Sequence, residues 1–332
     1  MSSSIVGRRE FLRGSLAASA LFASNPLSAR GLASYPAPGR ELMAPVNGGR
    51  VYIRVNGRLD GPRLPVVMIH GGPGSSHASF LNLLALSDER AVILYDQLDS
   101  GMSDHPNDPA NWTVGRFVSE VDAVRRALGV RSWHVLGQSW GGTVALEYGA
   151  RRPAELASLA LASPLVSTRS WISDTSVLRS QLAPDVQATL NRCDPPAATT
   201  AECEQAVEGF YASYYTREPR SDAYKAYVAA HPALRLNQRL YQAMWGSSEF
   251  VATGSLRDYD GKPLLAKLSG PRTLFVAGQF DEARPITVGG FAEQVHGAEF
   301  AVIPGSGHAL FSDRPDEAIG ILRPWLASHD AV

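Results

Sequence analysis

The pentapeptide Gly137-Gln138-Ser139-Trp140-Gly141 sets a hydroxyl between two glycines. A short apolar run precedes it and a helical pattern follows, the context in which a sharp strand-to-helix turn lifts a serine above the carboxyl edge of a sheet. The hydroxyl then sits at a helix N-terminus, where developing negative charge is favoured. A serine hydroxyl is too weak an acid to attack unaided, so a histidine must take its proton and an acid must orient that histidine. Of the eight histidines, His308 in Gly305-Ser306-Gly307-His308 combines a late position, a glycine-flexed loop and a preceding strand-like run at 300–303. Asp281, in Gly278-Gln279-Phe280-Asp281-Glu282, ends the strand-like run before that one. The order Ser139, Asp281, His308 is the order nucleophile, acid, histidine of hydrolytic sites on α/β sheets. Glu282 is the alternative acid. Helix capping by Asp281 and a turn role for His308 are the structural alternatives, and Asp96 at the end of an earlier strand-like run is assigned to loop structure.

His70-Gly71-Gly72-Pro73-Gly74 ends a fully apolar run and belongs at the same sheet edge. Gly71 and Gly72 let the backbone approach a bound carbonyl, whereas Pro73 has no amide hydrogen to give. The amides of Gly72 and Trp140 are therefore the expected donors to an oxyanion. His70 is expected to orient this backbone rather than to act as a base.

These residues need a scaffold that delivers them to one edge. Short β-branched runs at 51–56 and 64–69 are followed by strand-like runs at 91–95, 132–136 and 156–162, with helical spacing between them. Phe117, Val121, Val124 and Leu128 recur on one helical face, with Thr113 as N-cap and Gly129 as stop. Such alternation implies an α/β fold with a mostly parallel central sheet and right-handed crossovers. From 168 to 256 the strand-like runs vanish and Tyr, Trp, Arg and Gln dominate, which reads as an inserted helical cap. Strand character resumes at 272–277 and 300–303, with helices at 285–295 and 313–328. The expected division is a core over 44–167 and 257–332 interrupted by a cap over 168–256.

The chain has 332 residues, 45% hydrophobic and 19% charged, enough to bury a sizeable core. With 31 basic against 32 acidic residues it offers no long-range attraction to nucleic acid or anionic lipid. Arg8-Arg9-Glu10-Phe11-Leu12-Arg13, followed by a weakly apolar Ala- and Ser-rich run, resembles a twin-arginine export signal over residues 1–29. That run is too short to span a bilayer, so no stable membrane anchor is expected in the mature form. Residues 30–43 read as a flexible lead-in. Export to the periplasm or beyond would allow Cys193 and Cys203 to form a small disulfide, free thiols being the alternative. Two cysteines alone make no zinc site, and no metal is expected.

Together with Asp96-Gln97 and Trp245-Gly246-Ser247-Ser248-Glu249-Phe250 in the cap, these motifs resemble the proline iminopeptidase family of α/β-hydrolases. Within it the chain is most similar to the branch of the tricorn-interacting aminopeptidase and bacterial amino-acid amidases. The resemblance spans nearly the whole chain after the signal. It implies an α/β-hydrolase fold, no cofactor, and serine-dependent release of an N-terminal residue, often proline, from short peptides or amino-acid amides. It also implies cap carboxylates that hold the substrate's free amine, a role that falls on Glu249. A second carboxylate is usual, with Glu204, Glu208 and Glu218 as candidates. Asp99 stands where relatives generally have glycine, which bears on the pocket rim and hence on substrate preference. Trp171, Phe210, Tyr211, Tyr214, Tyr215, Tyr241 and Trp245 are expected mostly to pack the cap, with pocket lining as the alternative. An esterase or lactonase, which would have no use for Glu249, is the enzymatic alternative. A non-catalytic periplasmic binding protein on the same fold is the alternative of another class.

Overall fold

The computed structural model describes residues 34–193 and 200–331. Residues 1–29, expected from the sequence to be an export signal, lie outside them. The strand order of the central sheet is β1-β2-β4-β3-β5-β6-β7-β8. β1 (Arg40–Val46) pairs antiparallel with β2 (Gly49–Asn56), and β2 pairs antiparallel with β4 (Val92–Tyr95). The remaining pairings, through β3 (Val66–Ile69), β5 (Trp133–Gln138), β6 (Leu156–Ala162), β7 (Thr273–Gly278) and β8 (Glu299–Ile303), are parallel.

Alternation along the strands sends side chains to opposite faces. Val67, Ile69, Ile93, Tyr95, Val135, Leu161 and Phe275 join one buried cluster with α1 (Val114–Leu128) and α2 (Trp140–Ala150). Val66, Met68, Val92, Leu94, Leu136, Ala160 and Leu274 join another, with the 3₁₀ segment His77–Asp88 and the closing helix. Cover on both faces explains why these strands read as continuous apolar runs. Gly129 ends α1 in the left-handed conformation, as its spacing predicts; Thr113 occupies the N-cap position, although its side chain makes no capping bond.

The cap carries α3 (Thr168–Arg179), α4 (Pro184–Cys193), α5 (Ala201–Tyr214), α6 (Asp222–Ala230) and α7 (Gln238–Met244). An antiparallel bridge between Ser167 and Asp260 closes its neck. α8 (Lys262–Leu265) then packs on α2, followed by α9 (Pro285–Glu293), α10 (Leu310–Asp313) and α11 (Pro315–Ser328). A disulfide joins Cys193 to Cys203 with their Cα atoms 5.7 Å apart, tying α4 to α5. Residues 194–199 between them lie outside the described segments.

One expectation needs correcting. The lead-in assigned to 30–43 ends earlier, because Arg40–Val46 forms β1 with Met43 opposite Tyr52. This is an edge strand, largely exposed apart from Ala44, so it lacks the continuous apolar signal of its neighbours. Among the described residues no helix is long and apolar enough to cross a membrane.

Candidate active site

Ser139 lies between the end of β5 and the start of α2, with φ of 58° and ψ of −123°. The turn is made possible by its flanking glycines. A Cβ on Gly137 would lie 2.1 Å from the Gly141 carbonyl oxygen, and one on Gly141 would lie 2.0 Å from that of Ile69. The Ser139 amide donates to Ala162 at 3.0 Å, and its carbonyl accepts from Gly142 and Leu165, which fastens the turn to the end of β6. Trp140 is the first residue of α2, so its amide lies outside the helix's own ladder.

Asp281 and His308 follow β7 and β8 at the same edge. His308 Nδ1 donates to Asp281 Oδ1 at 2.8 Å. The same oxygen accepts from the Ala283 amide at 2.9 Å, while Oδ2 accepts from the Gly278 amide at 3.0 Å and from the Ser163 hydroxyl. A buried carboxylate with that many donors is held in one orientation. Ser163 directly follows β6, so Asp281 and Ser139 are secured to the same strand end. The Gln138 side-chain amide, one residue before the hydroxyl, donates to the His308 carbonyl at 2.9 Å. From the cap, the carbonyls of Tyr214 and Tyr215 accept the amides of His308 and Ala309 at 2.9 and 2.7 Å. Buried Asp313, which sequence reasoning does not single out, accepts the Gly307 amide at 2.9 Å and the Arg217 and Glu218 amides at 3.1 and 3.2 Å. The histidine loop is thus shared between core and cap.

The glycine loop runs against the hydroxyl: a Cβ on Gly71 would sit 3.0 Å from Ser139 Cβ and 3.5 Å from its Oγ. His70 is fully buried, and burial lowers its pKa, which keeps the ring neutral. The Gln97 amide donates to His70 Nε2 at 3.0 Å, so the ring proton belongs on Nδ1, which donates to the Gly71 carbonyl at 2.9 Å. In a trans peptide the carbonyl and the following N–H point opposite ways, so anchoring Gly71 fixes the direction of the Gly72 amide. Gln97 also donates from Nε2 to the His70 carbonyl and accepts the Trp140 indole at 2.8 Å. It therefore ties together the two segments that carry the candidate oxyanion donors. Asp96 accepts from His77 and from the Met102 amide, a loop role as its sequence position suggests.

Glu249, only partly covered, accepts a hydrogen bond from the Tyr241 hydroxyl. Burial raises its pKa, and the Tyr241 hydroxyl, the His308 ring and the Trp171 indole offset part of that. The carboxylate that shares the surroundings of Glu249 is Glu282, not one of the cap glutamates: Glu204 and Glu208 are exposed, and Glu218 pairs with Arg314. Glu282 is 1% exposed, with Oε1 3.8 Å from His308 Nε2. No donor among the described residues bonds either of its oxygens. Burial, then the Glu249 charge, then Asp281 push its pKa well up. Glu282 faces Nε2, while the opposite nitrogen, Nδ1, is held by Asp281, so the residue that orients the ring is Asp281 rather than Glu282. Its signal in the sequence is only its adjacency to Asp281.

The aromatic residues divide. Phe210 and Phe250 pack the cap's own cluster with Tyr211 and Tyr214 against them, whereas Trp171 and Tyr215 lie 5.3 and 5.4 Å from the His308 ring. Asp99 has a left-handed φ of 62°, accepts the Trp112 indole at 2.8 Å, and binds Asn237 of the cap through its carbonyl. A cavity of about 700 Å³ lined by Ser167, Arg169, Arg257 and Lys262 contains none of Ser139, Asp281 and His308, so chemistry rather than cavity size locates the site.

Residues 65–315 match the α/β hydrolase fold family. A proline iminopeptidase of Heyndrickxia coagulans is 35% identical over 285 residues, covering 85% of this chain and 97% of its own. That of Lactiplantibacillus plantarum is 35% identical over 297 residues, covering 86% and 100%. Among solved structures, a proline iminopeptidase of Mycobacterium smegmatis superposes with a TM-score of 0.77 at 33% identity, and VinJ with 0.79 at 32%. Each covers 88% of this chain and 99% of the other.

Proposed function

The chain belongs to the proline iminopeptidase family of α/β-hydrolases and is a hydrolase of aminopeptidase type, and from that premise we propose that it releases an N-terminal residue from short peptides or amino-acid amides through a Ser139 acyl-enzyme. The observation that carries this reading is a pair of carboxylates at His308: Glu282, buried without a donor and 3.8 Å from Nε2, and Glu249, partly covered and interacting electrostatically with both the ring and Glu282. Two carboxylates lacking a cation fit a ligand that brings its own. A free N-terminal ammonium does so, while an internal peptide nitrogen carries no charge to satisfy them.

In this mechanism Asp281 keeps the His308 proton on Nδ1, leaving Nε2 free to accept the Ser139 proton as the hydroxyl attacks the first residue's carbonyl. The Gly72 and Trp140 amides receive the oxyanion, and removing one such donor costs about 3 kcal/mol of barrier in hydrolases where it has been measured. His308 passes the proton to the leaving amine, and water, activated by the same ring, frees the product. The names of the relatives support proline as the residue released. The twin-arginine pattern at Arg8-Arg9 supports export, and a Cys193–Cys203 disulfide suits an oxidising compartment.

The test compares L-prolyl p-nitroanilide with its N-acetyl form on purified protein. The free amine should be cleaved and the blocked compound rejected by at least about 100-fold in kcat/KM, the worth of a charge-assisted contact left unmade. Equal cleavage of both identifies an esterase-like site that ignores the amine. Cleavage of neither, with no labelling by a fluorophosphonate, favours a binding protein on a hydrolase fold.

A further inference from the structure

We propose that Glu282 carries a proton in the empty site and gives it up to solvent when the substrate's ammonium enters, so that proton and substrate compete for the same carboxylate. The inference rests on the amine-reading function above and concerns how that site is charged.

The argument begins with what surrounds Glu282. From its own loop it faces Asp281, whose oxygens are committed to Ser163, Gly278, Ala283 and His308. From the cap loop it faces Glu249. From α5, the residue that caps it and α7 come Tyr211, Tyr215 and Tyr241, all driven by burial to higher pKa and so neutral hydroxyls. From the loop after β8 comes His308 Nε2 at 3.8 Å, whose other nitrogen already gives its proton to Asp281. Among the described residues no Lys or Arg forms an ion pair with Glu282. An ionised carboxylate here would be buried, without a donor and beside two other carboxylates, a combination relieved most simply by protonation.

An N-terminal ammonium reverses each of these conditions. It supplies a positive charge and two N–H donors if secondary, three if primary, which suits two carboxylates. Glu282 then becomes stable as the anion. The balance is one carboxylic acid plus one ammonium giving one carboxylate–ammonium pair plus one proton released; no bond to carbon changes. Selection for a free N-terminus would thus operate twice, through the contact formed and through the proton that only a cation can displace.

The experiment uses the Ser139→Ala protein, which does not turn over, with L-prolinamide as the probe. Calorimetry near pH 6, where an α-amino group is fully charged, is repeated in buffers of different ionisation enthalpy to count protons. Close to one proton should leave per ligand bound, declining at higher pH, and adding Glu282→Gln should reduce this to near zero. Binding with no proton release overturns the proposal. Release that persists after Glu282→Gln assigns the proton to His308 and overturns it equally. If Glu282→Gln does not fold, the pH dependence of Kd in Ser139→Ala decides the matter, a tenfold weakening per pH unit on the acid side being expected and a flat profile contradicting it. Wild-type cleavage of L-prolyl p-nitroanilide, measured alongside, separates the two claims. If the anilide is cleaved and no proton moves, only this inference falls; if it is not cleaved and prolinamide does not bind, the amine-reading function falls with it.

Discussion

Replacing Gly71 by alanine presses a single methyl group against the proposed nucleophile. The new Cβ would lie 3.0 Å from Ser139 Cβ, 3.3 Å from the Gln138 carbonyl oxygen and 3.5 Å from Ser139 Oγ. Carbon atoms rest about 3.5–4.0 Å apart, so the shortfall is roughly 0.5–1 Å. Ser139 has little room to yield, since its backbone bonds hold it to β6 and Gly137 and Gly141 are packed against backbone. The strain must therefore move the hydroxyl or the Gly72 amide. Overpacking of this kind costs about 1–3 kcal/mol of stability, and a misplacement of about 1 Å at a reacting centre costs about 100-fold in rate. Steady-state kinetics on L-prolyl p-nitroanilide should show kcat reduced about 10- to 100-fold with KM changed less than about threefold, because the proposed amine contacts at Glu249 and Glu282 are untouched. A folded Gly71→Ala protein with kcat within about twofold of wild type would refute the reasoning that this loop abuts the reacting hydroxyl.

Three further outcomes concern stability. Gly320→Ala, on the exposed side of α11 with nothing within 4 Å of the added Cβ, should stabilise by about 0.5–1 kcal/mol in urea unfolding and leave kcat unchanged. Changing Cys193→Ser together with Cys203→Ser opens a loop with a sequence separation of 10 and should cost about 2.7 kcal/mol, a loss below about 1 kcal/mol contradicting the loop-entropy account. His134 is fully buried, and burial pulls its pKa down to about 4, opposed by Asp330. The unfolded chain binds that proton first, so the ring's contribution is complete above about pH 6.5 and is lost as the pH falls towards 4. Between pH 7 and pH 5 wild type should lose about 2 kcal/mol more than His134→Gln.

What could be read from the chain follows from where each signal resides. β3, β4, β5 and β7 are buried at every position, so their apolar runs announced themselves, whereas β1 at the sheet edge left only Ala44 fully covered. α5 begins at Ala201 because the Thr200 hydroxyl accepts the Cys203 amide, a capping bond that apolar periodicity does not reveal. Ser139 was legible because a glycine-flanked turn is local in sequence. Asp281 and His308 were legible through their positions after successive strands. The placement of Glu282, on which its proposed role rests, was not, since it depends on which nitrogen of a ring 26 residues away it faces. Asp313 was hidden for the same reason: its partners are backbone amides from two distant segments.

The most direct measurement is a rapid acid quench of the enzyme during turnover of an L-prolyl ester, followed by peptide mass mapping. A prolyl group should be found on the peptide carrying Ser139 and be lost in Ser139→Ala. A protein that turns over the ester yet carries the acyl group on another residue, or on none when deacylation limits the rate, contradicts the account.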